Sequence, residues 1–416
     1  MEFIASLLGG NGAKVTEKTA TQQTKSKQQK SRMAPSKKRK RNKGVGDSSA
    51  PSNEAGGHAI DPEDLLGVVP YHFAKSIGEF YIEKKKLGTG QFGAVFLGVD
   101  KKTKERVAYK SMKHYRGLAS MEKKKIGQIR NEIVAMEISN RLESRNIIHL
   151  HAVVETGSEI YMVMEPMEGG ELFDRIVKKH HYSEHNAAEI LGTLSRALLS
   201  LHEAGIVHRD IKPENLLFKS TREDADLKVI DFGLAKIKGR ADAFGGRIVG
   251  TPGYFAPESF LRKEYSELCD VYSLGVVLYI MLCGFPPFGG EKTTAELCST
   301  MENEEYEMGK WGWENISHSA KDLVSQMLRA DPEKRITLEG VIGHRWAHPD
   351  VKNSNTHLKG TVTRMVTWNA RRKLRSAVRA VIMAHRLEKV MLCSSKDPAR
   401  KRRGKVRRTG RTGKVH

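Results

Sequence analysis

The loop His208-Arg209-Asp210-Ile211-Lys212-Pro213-Glu214-Asn215 places acidic, basic and amide side chains close together in the chain. Asp210 can accept the hydrogen of an attacking hydroxyl, and Lys212 can neutralise charge on a phosphate. The side-chain carbonyl of Asn215 can bind a hard cation such as Mg²⁺. Sixteen residues further on, Asp231 in the run Asp-Phe-Gly offers a second oxygen ligand. This combination predicts a magnesium-assisted phosphoryl-transfer site.

A glycine-rich run lies upstream of this loop, with the sequence Gly88-Thr89-Gly90-Gln91-Phe92-Gly93-Ala94-Val95. Alone, such a run can be a simple glycine turn, or a dinucleotide fingerprint if a helix follows directly. Here the strand-forming residues Ala94-Val95-Phe96-Leu97 follow instead. We therefore predict a glycine hairpin between two strands, whose backbone can approach ATP phosphates because no Cβ intervenes.

The strand-like run Val107-Ala108-Tyr109-Lys110 comes next, and the helical pattern from Met121 to Leu142 follows it. Glu132 lies on that helical pattern, and a lysine on a sheet can pair with a helix carboxylate to hold the α- and β-phosphates. Glu137 is the weaker alternative because it lies on a different face of the helix.

These motifs together resemble the signature set of protein kinases, over about Phe80 to Trp346. Ala256-Pro257-Glu258 resembles the motif that closes the activation segment, with Arg335 as its implied buried ion-pair partner. Asp270 resembles the aspartate that anchors the catalytic loop, although Tyr272 stands where the family usually has tryptophan. The resemblance implies an α+β, bilobal kinase fold over residues 81–346, with a small β-rich N-lobe and a larger helical C-lobe.

The resemblance also implies site residues and the cofactors ATP and Mg²⁺. The implied catalytic residues are Asp210, Lys212, Lys110, Glu132 and Thr251, and the implied metal ligands are Asn215 and Asp231. The implied nucleotide-binding residues are Leu87, Gly88, Thr89, Gly90, Gln91, Phe92, Gly93, Val95, Ala108, Lys110, Glu165, Met167 and Glu171. Because every group needed for phosphoryl transfer is present, we expect an active enzyme rather than a catalytically idle scaffold.

Two features resemble kinases that act on serine or threonine in protein substrates rather than on tyrosine. Lys212 follows the catalytic aspartate by two residues, and Gly250-Thr251-Pro252-Gly253-Tyr254 resembles the Ser/Thr-type substrate segment. Arg209 adjoins Asp210, and in many relatives this arginine binds a phosphate on the activation loop. However, residues Leu234 to Gly250 contain no Ser, Thr or Tyr. We therefore predict that phosphorylation of this loop is not the activating switch.

Residues 356–392 contain a basic, amphipathic, helix-compatible stretch that includes Trp368-Asn369-Ala370-Arg371-Arg372-Lys373-Leu374. A packing helix with a solvated charged face is the simplest interpretation, and a calmodulin target is the functional one. Leu374, Val378 and Met383 have 1-5-10 spacing, whereas Trp368 and Val381 define an alternative 1-14 register. The stretch resembles the calmodulin-binding segment of calcium/calmodulin-dependent protein kinases, most closely the type II members.

This resemblance implies an autoinhibitory segment that competes with substrates and is removed by Ca²⁺/calmodulin. Glu171 and Glu214 resemble the carboxylates that bind an arginine upstream of the target hydroxyl, so a basic helix can occupy their site. Thr361 falls where type II kinases carry an autophosphorylated threonine, but Leu358 replaces their upstream arginine. Efficient self-phosphorylation of Thr361 is therefore not expected.

The net charge of +22 comes from the two ends of the chain. Residues 1–50 contain 12 Lys and Arg against 3 Asp and Glu, and residues 347–416 contain 20 against 3. We predict disordered basic tails at 1–60 and 396–416. Such tails can act as nuclear-import signals, bind nucleic acid or acidic membrane surfaces, or simply be solvated charge runs. A nucleic-acid-binding protein is therefore a third possible function, beside the active kinase and the idle scaffold.

Four scattered cysteines without a CxxC pair favour a reducing compartment. No secretory signal or transmembrane stretch is evident, so we expect a cytoplasmic or nuclear protein.

Overall fold

A six-stranded sheet forms the first part of the computed structural model, which describes residues 69–89, 93–113, 119–244, 248–261, 266–289, 293–309, 312–348 and 354–395. The predicted tails and the glycine-loop residues 90–92 lie outside these ranges. The strand order is β1-β5-β6-β4-β3-β2, with β1 parallel to β5 and the other neighbours antiparallel. The strands are β1 Tyr71–Phe73, β2 Tyr81–Thr89, β3 Ala94–Asp100, β4 Arg106–Lys113, β5 Leu150–Glu155 and β6 Glu159–Met164.

The predicted glycine hairpin corresponds to the β2–β3 pair, which brackets the glycine run. At Gly93, a side-chain Cβ would lie 1.8 Å from the carbonyl oxygen of Ser111 on β4. Only glycine therefore permits this close approach of the two backbones. The long helix α1, Ala119–Asn140, packs against the sheet through residues such as Ile129, Ile133 and Met136, which recur every three or four positions.

The second part of the fold is mainly helical and surrounds one buried helix, α5, Leu268–Cys283. Every residue of α5 from Cys269 to Cys283 is buried, so this helix lies at the centre of the helical lobe. The other helices of this part, before the C-terminal one, are α2 Leu172–Lys178, α3 Glu184–Glu203, α4 Pro257–Leu261, α6 Thr294–Glu302, α7 His318–Met327 and α8 Leu338–Gly343. Two small antiparallel pairs join β7 Ile206–Val207 to β10 Lys236–Ile237, and β8 Leu216–Phe218 to β9 Leu227–Val229. The predicted α+β fold with a β-rich and a helical lobe is confirmed.

The predicted ion pair between Arg335 and Glu258 is buried in the helical lobe. The two guanidinium nitrogens donate to the two carboxylate oxygens at 2.6 and 2.8 Å. The Arg335 guanidinium also lies 5.0 Å from the ring centre of Tyr272, so this tyrosine supplies an aromatic face for the cation.

The basic C-terminal stretch forms one helix, α9, Lys359–Ser395, which contacts α2 and α5. Its first turns satisfy the last carbonyls of α5: Thr361 donates to the Leu282 oxygen at 2.7 Å, and Arg364 to the Cys283 oxygen at 2.7 Å. Gly284 ends α5 at φ +91°, and a Cβ there would lie 2.5 Å from the Thr361 oxygen. The start of α9 is therefore fitted closely to this lobe. No helix within the described ranges is long and apolar enough to cross a membrane.

Candidate active site

The catalytic loop follows β7 and brings three predicted residues into one hydrogen-bond network. Lys212 Nζ lies 2.6 Å from Asp210 Oδ2 and donates to Thr251 Oγ1 at 2.8 Å. Thr251 Oγ1 in turn donates to Asp210 Oδ1 at 2.7 Å. Lys212 and Thr251 thus orient both carboxylate oxygens of Asp210, although Thr251 lies 41 residues further along the chain.

Asp270, at the start of α5, fixes the backbone of this loop. Its carboxylate accepts the backbone N–H groups of His208 and Arg209, each at 2.8 Å, and lies 2.9 Å from the His202 ring. Burial alone would raise the pKa of Asp270, but the hydrogen bonds from His202 and from the loop backbone hold it below its ordinary value. Arg209 has φ +65°, a strained conformation that this anchor stabilises.

The predicted lysine–glutamate pair joins the sheet to α1. Lys110 Nζ lies 2.6 Å from Glu132 and 3.2 Å from Asp231. Burial alone would lower the pKa of Lys110, but the charges of Glu132 and Asp231 raise it above its ordinary value, so the ammonium stays charged. Glu137, the alternative partner, is buried further along α1 and accepts the backbone N–H of Val69.

The donor set around Asp231 and Asn215 fits a magnesium ion. Asn215 Nδ2 donates to the Asp210 backbone oxygen at 2.8 Å and to Asp210 Oδ2 at 3.1 Å. Its Oδ1 is therefore the side-chain atom that can act as a cation ligand. Asp231 contributes a carboxylate. Desolvation within the site would raise its pKa, but the charge of Lys110 and the hydrogen bond from the Gly233 N–H hold the pKa below its ordinary value. Oxygen ligands of this kind are those that Mg²⁺ prefers.

Two of the predicted nucleotide-binding residues, Val95 and Ala108, lie beside Lys110 in the sheet. Val95 on β3 is the direct partner of Lys110 in the β3–β4 register, and Ala108 is buried on β4. Leu87 and Gly88 lie on β2, as does the backbone of Thr89. Gly93 precedes β3, whereas Gly90, Gln91 and Phe92 lie outside the described residues.

Three more residues were predicted to bind the nucleotide, Glu165, Met167 and Glu171, and their side chains have other surroundings. The Glu165 carboxylate lies 2.5 Å from Lys228 and 3.1 Å from Lys219, so only its backbone is available to a nucleotide. Met167 is half-buried against the core. Glu171 precedes α2 and contacts α9.

The acidic groove, which we define as Glu171, Asp174 and Glu214, is occupied by α9. The Arg372 guanidinium pairs with Glu171 and lies 2.7 Å from a Glu214 oxygen. Lys373 pairs with Asp174, and Asn369 donates to Asp174 at 2.8 Å. The sequence indicated both glutamates but gave Asp174 no role. Its position three residues after Glu171, one turn along α2, is the signal that could have identified it.

Aromatic and cavity contacts bring α9 next to the catalytic residues. The Trp368 ring meets Phe173 edge-on at 5.7 Å. A cavity of about 490 Å³ is lined by Asp210, Lys212, Asp231 and Thr251 on one side and by Trp368, Arg372 and Ser376 of α9 on the other. The helix therefore forms one wall of the space where a protein substrate would meet the catalytic loop.

Comparison with known proteins agrees with this geometry. The family described as "Protein kinase domain" matches residues 81–347. Calcium-dependent protein kinase 12 of Arabidopsis thaliana is 39% identical over 317 residues, covering 76% of this chain and 63% of that protein. Calcium/calmodulin-dependent protein kinase type IV of Mus musculus is 39% identical over 311 residues, covering 75% and 64%. Type 1B of Rattus norvegicus is 39% identical over 297 residues, covering 71% and 82%.

The chain thus spans less than two thirds of the length of the first two of these relatives and most of the third. The family match, residues 81–347, includes the whole predicted catalytic domain 81–346. The chain belongs to the protein kinase family and, within it, to the group of calcium-dependent and calcium/calmodulin-dependent Ser/Thr kinases.

Proposed function

We propose that this chain is an ATP-dependent Ser/Thr protein kinase whose helix α9 blocks the substrate groove until Ca²⁺/calmodulin removes it. The observation that carries the proposal is the position of Arg372, on α9, between Glu171 and Glu214 of the catalytic domain.

The catalytic network supports phosphoryl transfer to a hydroxyl. Asp210 is held where it can orient a substrate hydroxyl and accept its hydrogen, and Lys212 can neutralise the transferred phosphate. Lys110, held by Glu132, would bind the α- and β-phosphates of ATP, and Asn215 and Asp231 would hold Mg²⁺. Bound Mg²⁺ would supply electrostatic stabilisation of the phosphates. The role of the protein is then to position and neutralise the reacting groups.

The acidic groove supports a preference for substrates with an upstream arginine. A guanidinium is planar and presents several N–H donors, so it can engage two carboxylates at once. Arg372 makes this kind of contact from within the same chain, and its side chain is only 10% exposed. A substrate arginine would place the same group between Glu171 and Glu214. The helix and the substrate would therefore compete for one site.

Several further contacts support autoinhibition by α9. Lys373 and Asn369 both engage Asp174, and Trp368 packs on Phe173. Met365, one turn earlier, is fully buried. These contacts hold the helix along the acidic groove, where a substrate arginine would otherwise bind.

Exposed apolar residues on α9 support calmodulin as the releasing partner. Leu374 and Val378, the first two anchors of the 1-5-10 register, are 59% and 40% exposed. Trp368, an anchor of the alternative 1-14 register, is instead packed against Phe173. Met383 lies within α9, but its side chain is outside the described part of the structure. A basic helix with accessible apolar anchors suits Ca²⁺-loaded calmodulin, which exposes a Met-rich hydrophobic groove.

The test is phosphorylation of matched peptides by the full chain, with Ca²⁺/calmodulin or with a calcium chelator. One peptide carries arginine upstream of the serine, and its partner carries alanine there. We expect activity only with Ca²⁺/calmodulin, and a strong preference for the arginine peptide. Asp210→Asn should abolish activity in both conditions. Equal activity with and without calmodulin would contradict autoinhibition, and activity retained in Asp210→Asn would contradict the catalytic assignment.

A further inference from the structure

The sheet gains its parallel strand from a segment that precedes the catalytic domain. The family match begins at residue 81, whereas β1 comprises Tyr71–Phe73. The Val153 N–H of β5 donates to the Pro70 carbonyl, and the Ala74 N–H donates to the Glu155 carbonyl, both at 2.9 Å. A strand of only three residues makes few such bonds, so its side chains must supply the rest of its attachment.

Tyr71 attaches this strand to β5 and lies close to α1. Its hydroxyl donates to the buried carboxylate of Glu155. Burial, this hydrogen bond and the charge of Glu155 raise the pKa of Tyr71 far above its ordinary value, whereas the positive charge of Arg130 on α1 acts in the opposite direction. The hydroxyl therefore stays protonated at neutral pH and remains a hydrogen-bond donor to β5.

Val69 attaches the same segment to α1 itself. Its side chain is buried in one core with Ile133 and Met136 of that helix. Its backbone N–H donates to Glu137 Oε1 at 3.4 Å, and the Glu137 side chain is buried as well. Residues 69–73, which we call the N-terminal clamp, therefore contact both β5 and α1.

The N-terminal clamp and the active site hold the same helix at different points. Glu132 lies 2.6 Å from Lys110, and Glu137 follows five residues later on α1. At 1.5 Å and 100° per residue, the two glutamates are about 7.5 Å apart along the helix axis and about 140° apart around it. Contacts on two faces restrict both rotation of α1 about its axis and tilting away from the sheet.

We propose that the N-terminal clamp positions α1 so that Glu132 meets Lys110, with Val69 and Tyr71 as its positioning residues. The inference rests on the proposed kinase function, in which this ion pair holds the α- and β-phosphates of ATP. Undocking of the clamp would free one face of α1 and lower the fraction of molecules in which the pair is formed. Use of ATP would then suffer, while the acidic groove on the helical lobe would still bind a peptide.

The experiment compares Val69→Asp with Phe73→Asp in the full chain. Val69→Asp places a carboxylate in the core beside Glu137, which should expel the clamp. Phe73→Asp is the matched control, because it adds the same charge to the same segment at a side chain that is 63% exposed. Val69→Ile keeps an apolar side chain at the buried position. Tyr71→Phe is a milder second variant that removes only the hydroxyl bonded to Glu155.

Two readouts separate positioning of α1 from a general loss of stability. The first is hydrogen exchange of the backbone amides of residues 129–137, which does not require activity. The second is the pair of kcat/KM for ATP and KM for peptide, measured with saturating Ca²⁺/calmodulin. A general loss of folded protein would lower the rate with both substrates alike, whereas a displaced α1 should affect ATP selectively.

We expect Val69→Asp to speed exchange over residues 129–137 at least about tenfold, because detaching a buried valine forfeits a factor of roughly 10 to 150 in an equilibrium constant. Its kcat/KM for ATP should fall about tenfold, with KM for peptide within about twofold of the wild type. Tyr71→Phe should change exchange and kcat/KM for ATP in the same directions by smaller factors. Phe73→Asp and Val69→Ile should resemble the wild type.

The inference is overturned if Val69→Asp leaves the exchange of α1 or kcat/KM for ATP at the wild-type level, or if Phe73→Asp is equally impaired. Should Val69→Asp fail to fold, Tyr71→Phe decides the question by the same two readouts. If the wild type phosphorylates no peptide but Val69→Asp still loosens α1 selectively, the proposed function fails while the attachment of α1 by the clamp stands.

Discussion

Arg372→Ala should release the kinase from inhibition without calmodulin. In the resting arrangement the guanidinium is nearly buried between Glu171 and Glu214 and lies 5.8 Å from the Trp368 ring. When α9 leaves the groove, all three charged groups return to water. The substitution therefore removes interactions that exist only in the closed state, and it shifts the equilibrium toward the open state.

The size of the shift can be worked from these contacts. A hydrogen bond between charged groups contributes about 1.5–3 kcal/mol, which applies to the pair with Glu171. Glu214 is about one third exposed, so its ion pair adds at most about 1 kcal/mol after solvent screening. The two contributions sum to about 1.5–4 kcal/mol, and the middle of this range, about 2–3 kcal/mol, corresponds to a change of roughly 30- to 150-fold in the closed-to-open ratio.

The assay is the initial rate of peptide phosphorylation by the full chain in the presence of a calcium chelator. Arg372→Ala should raise this basal rate about 30-fold or more, up to the calmodulin-stimulated ceiling. Arg371→Ala is the control, since Arg371 carries the same charge on the exposed side of α9. A basal rate within about twofold of the wild type for Arg372→Ala, or an equal rise in Arg371→Ala, would refute the assignment of Arg372 as the inhibitory contact.

Two further predictions concern the framework of the site. Arg335→Ala leaves the Glu258 carboxylate buried without its partner, so urea unfolding should show a loss of about 3–5 kcal/mol, while Arg222→Ala, which breaks an exposed pair, should leave the midpoint unchanged. Asp270 has a pKa below its unfolded value, so its contribution to stability is full at neutral pH and is lost as pH falls through the folded pKa. The wild type should therefore lose stability more steeply than Asp270→Asn below about pH 4, measured by thermal melting; parallel curves would contradict this role.

The catalytic core could be predicted because its reactive residues lie in short motifs. Asp210, Lys212 and Asn215 belong to one loop of eight residues, 208–215, and residues so close in sequence must also be close in space. The pairing of Lys110 with Glu132 was also predictable, because strand and helix patterns around both residues are clear. The fold class followed from the resemblance that these motifs carry. Strands β3 and β4 extend beyond their predicted segments, whereas α1, predicted from Met121 to Leu142, begins at Ala119 and ends at Asn140.

Other features depend on long-range packing that no local pattern contains. The contact of Arg209 with Asp242 requires the segment after β10 to turn back over the catalytic loop. The Thr361 hydroxyl is buried because α9 begins against the end of α5. The sequence indicated only that the upstream arginine is replaced by Leu358, which argued against phosphorylation of Thr361 for a different reason. The side-chain partners of Glu165 likewise come from strands distant in sequence.

The two sides of α9 suit the two roles that the proposed function gives it. At 100° per residue, Met365, Trp368, Asn369 and Arg372 share one face, which is the face that contacts the catalytic domain. Leu374, Val378 and Val381 project from roughly the opposite face and are exposed.

Under the proposed function, calmodulin would contact the outward face of α9 while the inward face is still docked on the catalytic domain. A partner that surrounds the helix must then compete with the acidic groove for Arg372 and with Phe173 for Trp368. Calmodulin and the catalytic domain would compete for α9 only at these inward contacts. Weakening the contacts of Arg372 should therefore favour the open state without removing the outward apolar residues that calmodulin would bind. Under the proposed function, substitution of Arg372 should therefore reduce inhibition while leaving Leu374 and Val378 accessible to calmodulin, since these two residues lie on the other side of the helix.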